Sequence, residues 1–136
     1  DMSYFYSLIE AFKETPEFSI IVGTEMFLPE TILHGGHGAV AGGANFLPEL
    51  FVDLYNASVA SNFEDIKILR NKVAFFNSSI YYVGKNASRI TKGIKCALSV
   101  MDICEDHMAL PLRKFENRER EKVKDYLDQF ASPQVI

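Results

Sequence analysis

A chain of 136 residues fits one domain, with room for an appendage. Its 48% hydrophobic and 24% charged content is ordinary for a globular protein, and a net charge of −4 leaves no surplus of Lys and Arg to meet nucleic-acid phosphates. No apolar run approaches the roughly 20 residues that span a bilayer, and residues 1–15 are amphipathic rather than a signal peptide, so neither a nucleic-acid nor a membrane partner is expected.

In chain order, Phe5, Leu8, Ile9 and Phe12 stand at helical spacing over residues 3–13, with Ser3 as the cap and Thr15-Pro16 as the stop. Phe18 to Val22 is a β-rich run closed by Gly23, the first predicted strand. Thr24 and Glu25 start the next helix, which carries Pro29 in its first turn, turns Leu28, Ile32 and Leu33 inward and ends at Gly35-Gly36. His34 to Pro48 then holds five glycines between Gly35 and Gly43 around the small apolar core Ala39-Val40-Ala41. So small a run fits a second strand, Gly38 to Ala41, buried on both faces. Gly42 and Gly43 at its C-terminal end let backbone approach a ligand, and Pro48 to Ala60 is a helix burying Leu50, Phe51, Leu54 and Tyr55.

Beyond residue 61 the pattern is helical. Asn62 caps a stripe of Phe63, Ile66, Leu69, Val73, Phe76 and Ile80. Ile90, Ile94, Ala97, Leu98 and Met101 form a second stripe; Val123, Tyr126, Leu127 and Phe130 form a third, after a charged first turn at 116–121. Pro111 separates these two. The expected organisation is therefore an α/β part over residues 1–61 and a three-helix extension over 62–136. Cys96 and Cys104 lie eight apart on one predicted helix, about 12 Å, too far for a disulfide within it. Both read as reduced thiols and the compartment as cytoplasmic, and the Asn-x-Ser triplets at Asn56, Asn77 and Asn86 read as chance.

Two parallel strands alone leave unpaired outer edges, so strands this apolar call for neighbours on either side. These come from partner chains, or from the rest of a larger protein of which this is the C-terminal part.

Three blocks, Phe18-Ser-Ile-Ile-Val-Gly-Thr-Glu25, Gly38-Ala-Val-Ala-Gly-Gly-Ala-Asn45 and Pro48-Glu-Leu-Phe-Val-Asp-Leu-Tyr55, resemble the C-terminal half of the dihydrodipicolinate synthase and N-acetylneuraminate lyase family. Ile94-Lys-Cys-Ala-Leu98 is similar to that family's penultimate helix, and Leu110-Pro-Leu-Arg113 to its final linker. The resemblance implies a (β/α)8 TIM barrel with a C-terminal helical extension, usually a homotetramer, of which this chain supplies the last two strands and all that follows. It implies a class I aldolase or lyase that joins a lysine to pyruvate or another 2-keto acid as a Schiff base, without a cofactor or metal. The lysine and a proton-shuttling tyrosine would precede Asp1, on the upstream half of the barrel, so no catalytic residue is expected here and the chain alone should be inactive.

What the resemblance does place here is pocket wall: Gly23 and Glu25 at the end of one strand, Val40, Gly42 and Gly43 at the end of the next. Glu25 reads either as an acceptor for substrate hydroxyls or as a helix first-turn carboxylate. Gly42 stands where sialic-acid lyases tend to carry a hydroxyl, which counts against a sialic-acid substrate; dihydrodipicolinate synthases also often carry hydroxyls nearby, so the Gly42-Gly43 pair looks more like the keto-deoxy-sugar-acid aldolases. The resemblance as a whole implies a dihydrodipicolinate synthase-like or keto-deoxy-sugar-acid aldolase-like activity. A non-catalytic binding or assembly module on the same fold is the alternative.

His34-x-x-His37 has no third ligand near in sequence and reads as two loop histidines rather than a metal site. Asp102, Cys104, Glu105, Asp106 and His107 match no metal spacing and read as a solvated loop. The glycines lack both the G-x-G-x-x-G order and a P-loop lysine, which argues against a nucleotide loop.

Overall fold

The computed structural model describes residues 1–132. The first helix, α1 (Met2–Phe12), is capped by Asp1, whose carboxylate accepts the Ser3 N–H at 2.9 Å, so Ser3 lies inside the first turn rather than at the cap. Phe5 is its buried anchor, and Phe12 stacks on Phe18 with ring centres 4.0 Å apart, closing the turn through Pro16.

The chain then forms β1 (Ile21–Val22), a 3-10 turn over Glu25–Phe27, α2 (Leu28–Leu33) and β2 (Gly38–Ala39). The strands are parallel, with Ile21 opposite Gly38 and Val22 opposite Ala39. Backbone bonds extend the pairing at both ends: His37 N–H donates to Ile20 O at 2.8 Å and Val40 N–H to Val22 O at 2.9 Å. The apolar runs are longer than the paired segments because each strand has one neighbour and the ladder stops where the two chains part.

Full burial of the second strand is not observed. Gly38, Ala39 and Ala41 are half-buried, and Val40 is 72% exposed. Ile21 on β1 is 54% exposed, whereas Ile20 is buried. A two-stranded sheet covers one edge of each strand and leaves the other bare.

At the end of α2, Gly35 takes φ +92° and Gly36 N–H returns to Thr31 O at 2.7 Å. A side chain on Gly36 would stand 2.9 Å from that same carbonyl. Leu28 is buried, but Leu33, in the last turn, is exposed rather than inward. α3 (Pro48–Val59) buries Leu50, Phe51, Leu54, Ala57 and Ser58. Tyr55, expected inside, is exposed because it lies one helical step, about 100°, round from Leu54.

α4 (Phe63–Ser78) starts at Asn62, whose Oδ1 accepts the Asp65 N–H. Ile66, Val73 and Phe76 are buried, while Phe63 at the helix start is exposed. Ile80 is buried in a 3-10 turn, Ile80–Tyr82, beyond the helix. α5 (Arg89–Val100) buries Gly93, Cys96 and Ala97; Ile90 and Met101, at its two ends, are exposed, so its buried face is narrower than the stripe suggested. Cys104 is not on this helix but in the loop after it, exposed, and both cysteines are free thiols. α6 (Asn117–Ala131) buries Val123. Among the described residues no strand follows β2.

The described residues separate into two compact units, residues 1–44 with 48–70, and residues 45–47 with 71–132. Residues 62–70, grouped with the extension in the sequence reading, pack with the first unit, where Arg70 pairs with Glu30 at 2.8 Å. In the second unit Phe76 meets Phe46 and Tyr81 edge-on at ring separations of 5.6 and 5.4 Å.

Candidate functional site

The C-terminal ends of the two parallel strands carry the candidate site, at the sheet edge where α/β proteins hold ligands. Past the Val22–Ala39 pair the ladder closes with the Val40 N–H bond to Val22 O, leaving Gly23 and Val40 at the strand ends. Gly23 is exposed, with open space where a side chain would stand. Val40 turns its side chain to solvent at the same end.

Glu25 is the buried member, 4% exposed. Its Oε2 accepts the Gly43 N–H at 2.9 Å, and Gly43 is itself buried. Glu25 opens the 3-10 turn, yet its carboxylate reaches 18 residues along the chain. It therefore ties the loop after β1 to the loop after β2. Its second oxygen, Oε1, is buried without a hydrogen-bond partner among the described residues. An acceptor in that state forfeits about 1–3 kcal/mol of solvation until something donates to it. The structure thus joins Glu25 to Gly43 directly and sets Gly23 and Val40 at the strand ends; Gly42 is the half-buried residue before Gly43.

The histidines serve the backbone. His37 Nδ1 accepts the Ile20 N–H at 3.0 Å, while His34 Nδ1 lies 2.8 Å from Glu30 O and its ring meets Tyr6 edge-on. Among the described residues no group of three His, Cys, Asp or Glu side chains could hold a metal ion.

Sequence reasoning missed Asp106. Far from being solvated, it is 4% exposed and pairs with Lys114 at 3.3 Å and with Arg120 at 3.2 Å. Arg120 also donates to Ser99 Oγ at 3.1 Å. These groups border a cleft of about 620 Å³ shared with Cys104 and Asn117. Burial pushes the Cys96 thiol above its ordinary pKa, against the nearby Arg120 charge and with Asp106 adding to the rise. The available signal was charge complementarity between Asp106 and two cations eight and fourteen residues later, a spacing that matches no local motif.

Comparison with known proteins decides the family. The sequence profile of the dihydrodipicolinate synthetase family matches residues 2–130. The chain belongs to that family. Among its relatives is an uncharacterized DapA-like lyase of Pyrococcus abyssi, 32% identical over 71% of this chain and 32% of its own length. A solved dihydrodipicolinate synthase from Bacteroides thetaiotaomicron superposes with a TM-score of 0.92 at 45% identity, covering 95% of this chain and 43% of that one. YagE of Escherichia coli K12, a dihydrodipicolinic acid synthase family protein solved with pyruvate, shares the fold at TM-score 0.82 and 20% identity. This dihydrodipicolinate synthetase family chain therefore spans about a third to two-fifths of the length of the proteins it matches. Its helix-rich structure with two parallel strands is what part of a TIM-barrel family fold contains. Among the described residues no helix is long and apolar enough to cross a membrane.

Proposed function

We propose that this chain forms the last two strand-helix units and the helical extension of a (β/α)8 barrel. The complete barrel would be a Schiff-base lyase or aldolase acting on pyruvate or a related 2-keto acid. The observation that carries the reading is the buried Glu25–Gly43 bond at the strand ends, with Glu25 Oε1 left open. In this reading Glu25 accepts a hydrogen bond from the second substrate, while Gly23, Val40, Gly42 and Gly43 line the wall beside it.

The catalytic lysine belongs to the upstream half. Imine formation requires an unprotonated amine, which takes a desolvated pocket or a neighbouring positive charge. None of the nine lysines here is buried. The pyruvate bound to YagE, a relative in fold, supports the substrate class. The exposure of Ile21 and Val40 supports the need for further strands, and the family resemblance supports a homotetramer in the cytoplasm.

Borohydride trapping with pyruvate tests this reading. The 136-residue chain alone should take no label. Mixed with or fused to an upstream half carrying strands one to six, labelling should appear on a lysine of that half. Efficient, site-specific labelling of a lysine within this chain would overturn the assignment.

A further inference from the structure

The second unit contains a cationic cleft that the reading above does not use. It has a volume of about 310 Å³ and lies between the loop leading into α5 and the segment leading into α6. Lys85, Arg89, Lys92, Arg113 and Lys114 line it, against the two carboxylates Glu116 and Glu119. Five cations in one small cleft stand out in a chain whose net charge is −4.

The ordinary fate of such cations is pairing with nearby acids, and here only Lys114 is paired, with Asp106. Lys85, Arg89, Lys92 and Arg113 have no carboxylate partner among the described residues, and neither Glu116 nor Glu119 lies within ion-pair distance of them. Both acids stand at the start of α6, where the helix dipole favours negative charge.

Two of the cations are held in place by rings. The Arg89 guanidinium lies 4.2 Å from the centre of the Tyr82 ring, and the Lys92 ammonium 5.9 Å from that of Phe115. Phe115 is buried and fits closely under Gly84, where φ is +89° and an added Cβ would stand 3.0 Å from the ring. Asn86 and Ser88 add neutral donors to the rim, and the Ser88 hydroxyl is not used to cap α5.

We propose that this cleft binds a small ligand carrying a phosphoryl group, recognised by Arg89 and Lys92 with help from Lys85 and Arg113. Its size admits a phosphate or pyrophosphate group rather than a polymer. The combination of two guanidinium forks, Arg89 and Arg113, with the ammonium groups of Lys85 and Lys92 suits a tetrahedral oxyanion with several charged oxygens. Like charges held together unpaired repel one another, so a polyanion gains both attraction and relief of that repulsion.

The test is calorimetric titration of the 136-residue chain with pyrophosphate, inorganic phosphate and citrate, each at the same ionic strength. Saturable one-to-one binding of pyrophosphate, tighter than citrate, is expected. Arg89→Gln with Lys92→Gln should weaken it by at least about tenfold, since both removed contacts are charge-assisted. Lys85→Gln, in an exposed loop, guards against a folding artefact and should weaken it by about threefold. Removing the same charge elsewhere, with Lys67→Gln and Lys122→Gln, should leave the affinity within about twofold. Citrate binding as tight as pyrophosphate, no saturable binding, or equal losses in the cleft and control variants would each overturn the proposal.

Discussion

Asp106 is 4% exposed and satisfied by two cations that reach solvent, Lys114 at 59% and Arg120 at 38% side-chain exposure. Breaking a fully buried pair costs about 3–5 kcal/mol, but this partial exposure lowers the expected cost of Asp106→Ala to about 1–3 kcal/mol. Asp106→Asn keeps one acceptor and should cost less; urea unfolding followed by circular dichroism measures both. Two thiols allow a second reading at this scale. Cys104 is exposed and should react with a thiol reagent at once, whereas buried Cys96 should react only as the fold opens. The folded pKa of Cys96 lies above its unfolded value, so its contribution to stability is complete below the ordinary thiol value of 9.0 and is lost as pH rises through the folded value. The wild type should therefore lose more stability than Cys96→Ala as the solution is taken from neutral to strongly alkaline pH. The sequence exposed the acidic cluster at 102–107 but not its internal difference. Asp106 is buried and Glu105 exposed because cations remote in sequence fold over one of them.

Helix α5 rests on the turn Ile80–Tyr82 through Gly93. An alanine in a helix interior is favoured over glycine by about 1 kcal/mol where nothing is in the way. At Gly93 the added Cβ would stand 2.7 Å from Ile80 O and 3.2 Å from Ile80 Cγ2, backbone and branched side chain that cannot swing aside. The sign should reverse, with Gly93→Ala destabilising by about 1–3 kcal/mol; Gly23→Ala, with nothing within 4 Å, is the control. Helical periodicity located all of the long helices, because 3.6-residue spacing depends on one buried face. It overreached at helix ends, where Phe63, Ile90 and Met101 extend past the packed surface. It also could not foresee that His37 accepts the Ile20 N–H, a side chain continuing the backbone bonding beside the sheet.

At the scale of the molecule, alternating helix and strand signals made the parallel sheet legible, and the glycine-rich stretch marked the end of it where the candidate site lies. The sequence could report how apolar the strands are, but not what covers them. Ile21 and Val40 are accordingly exposed where covered strands were expected. Val40→Asp separates the two environments. In this chain alone the substitution sits in solvent and should change stability by less than about 0.5 kcal/mol. If strands from an upstream half cover this edge, the same carboxylate is trapped in a barrel wall, and pyruvate-dependent borohydride labelling of the joined halves should be abolished. Labelling undiminished by Val40→Asp would mean that the edge remains open in the active protein.

The contrast between Ile20, buried at 6%, and Ile21, exposed at 54%, gives the chain uneven tolerance to changes in its length. One residue inserted between Phe18 and Ile20 would exchange the two positions, turning a core side chain outward along with every alternate neighbour. One residue inserted at Glu14 or Glu17, on the exposed turn joined by the Phe12–Phe18 stack, can be taken up without disturbing that alternation. Relatives differing in length by a single residue across this region should therefore carry the change before Phe18, and a library of single-residue insertions selected for folding should show the same sharp boundary.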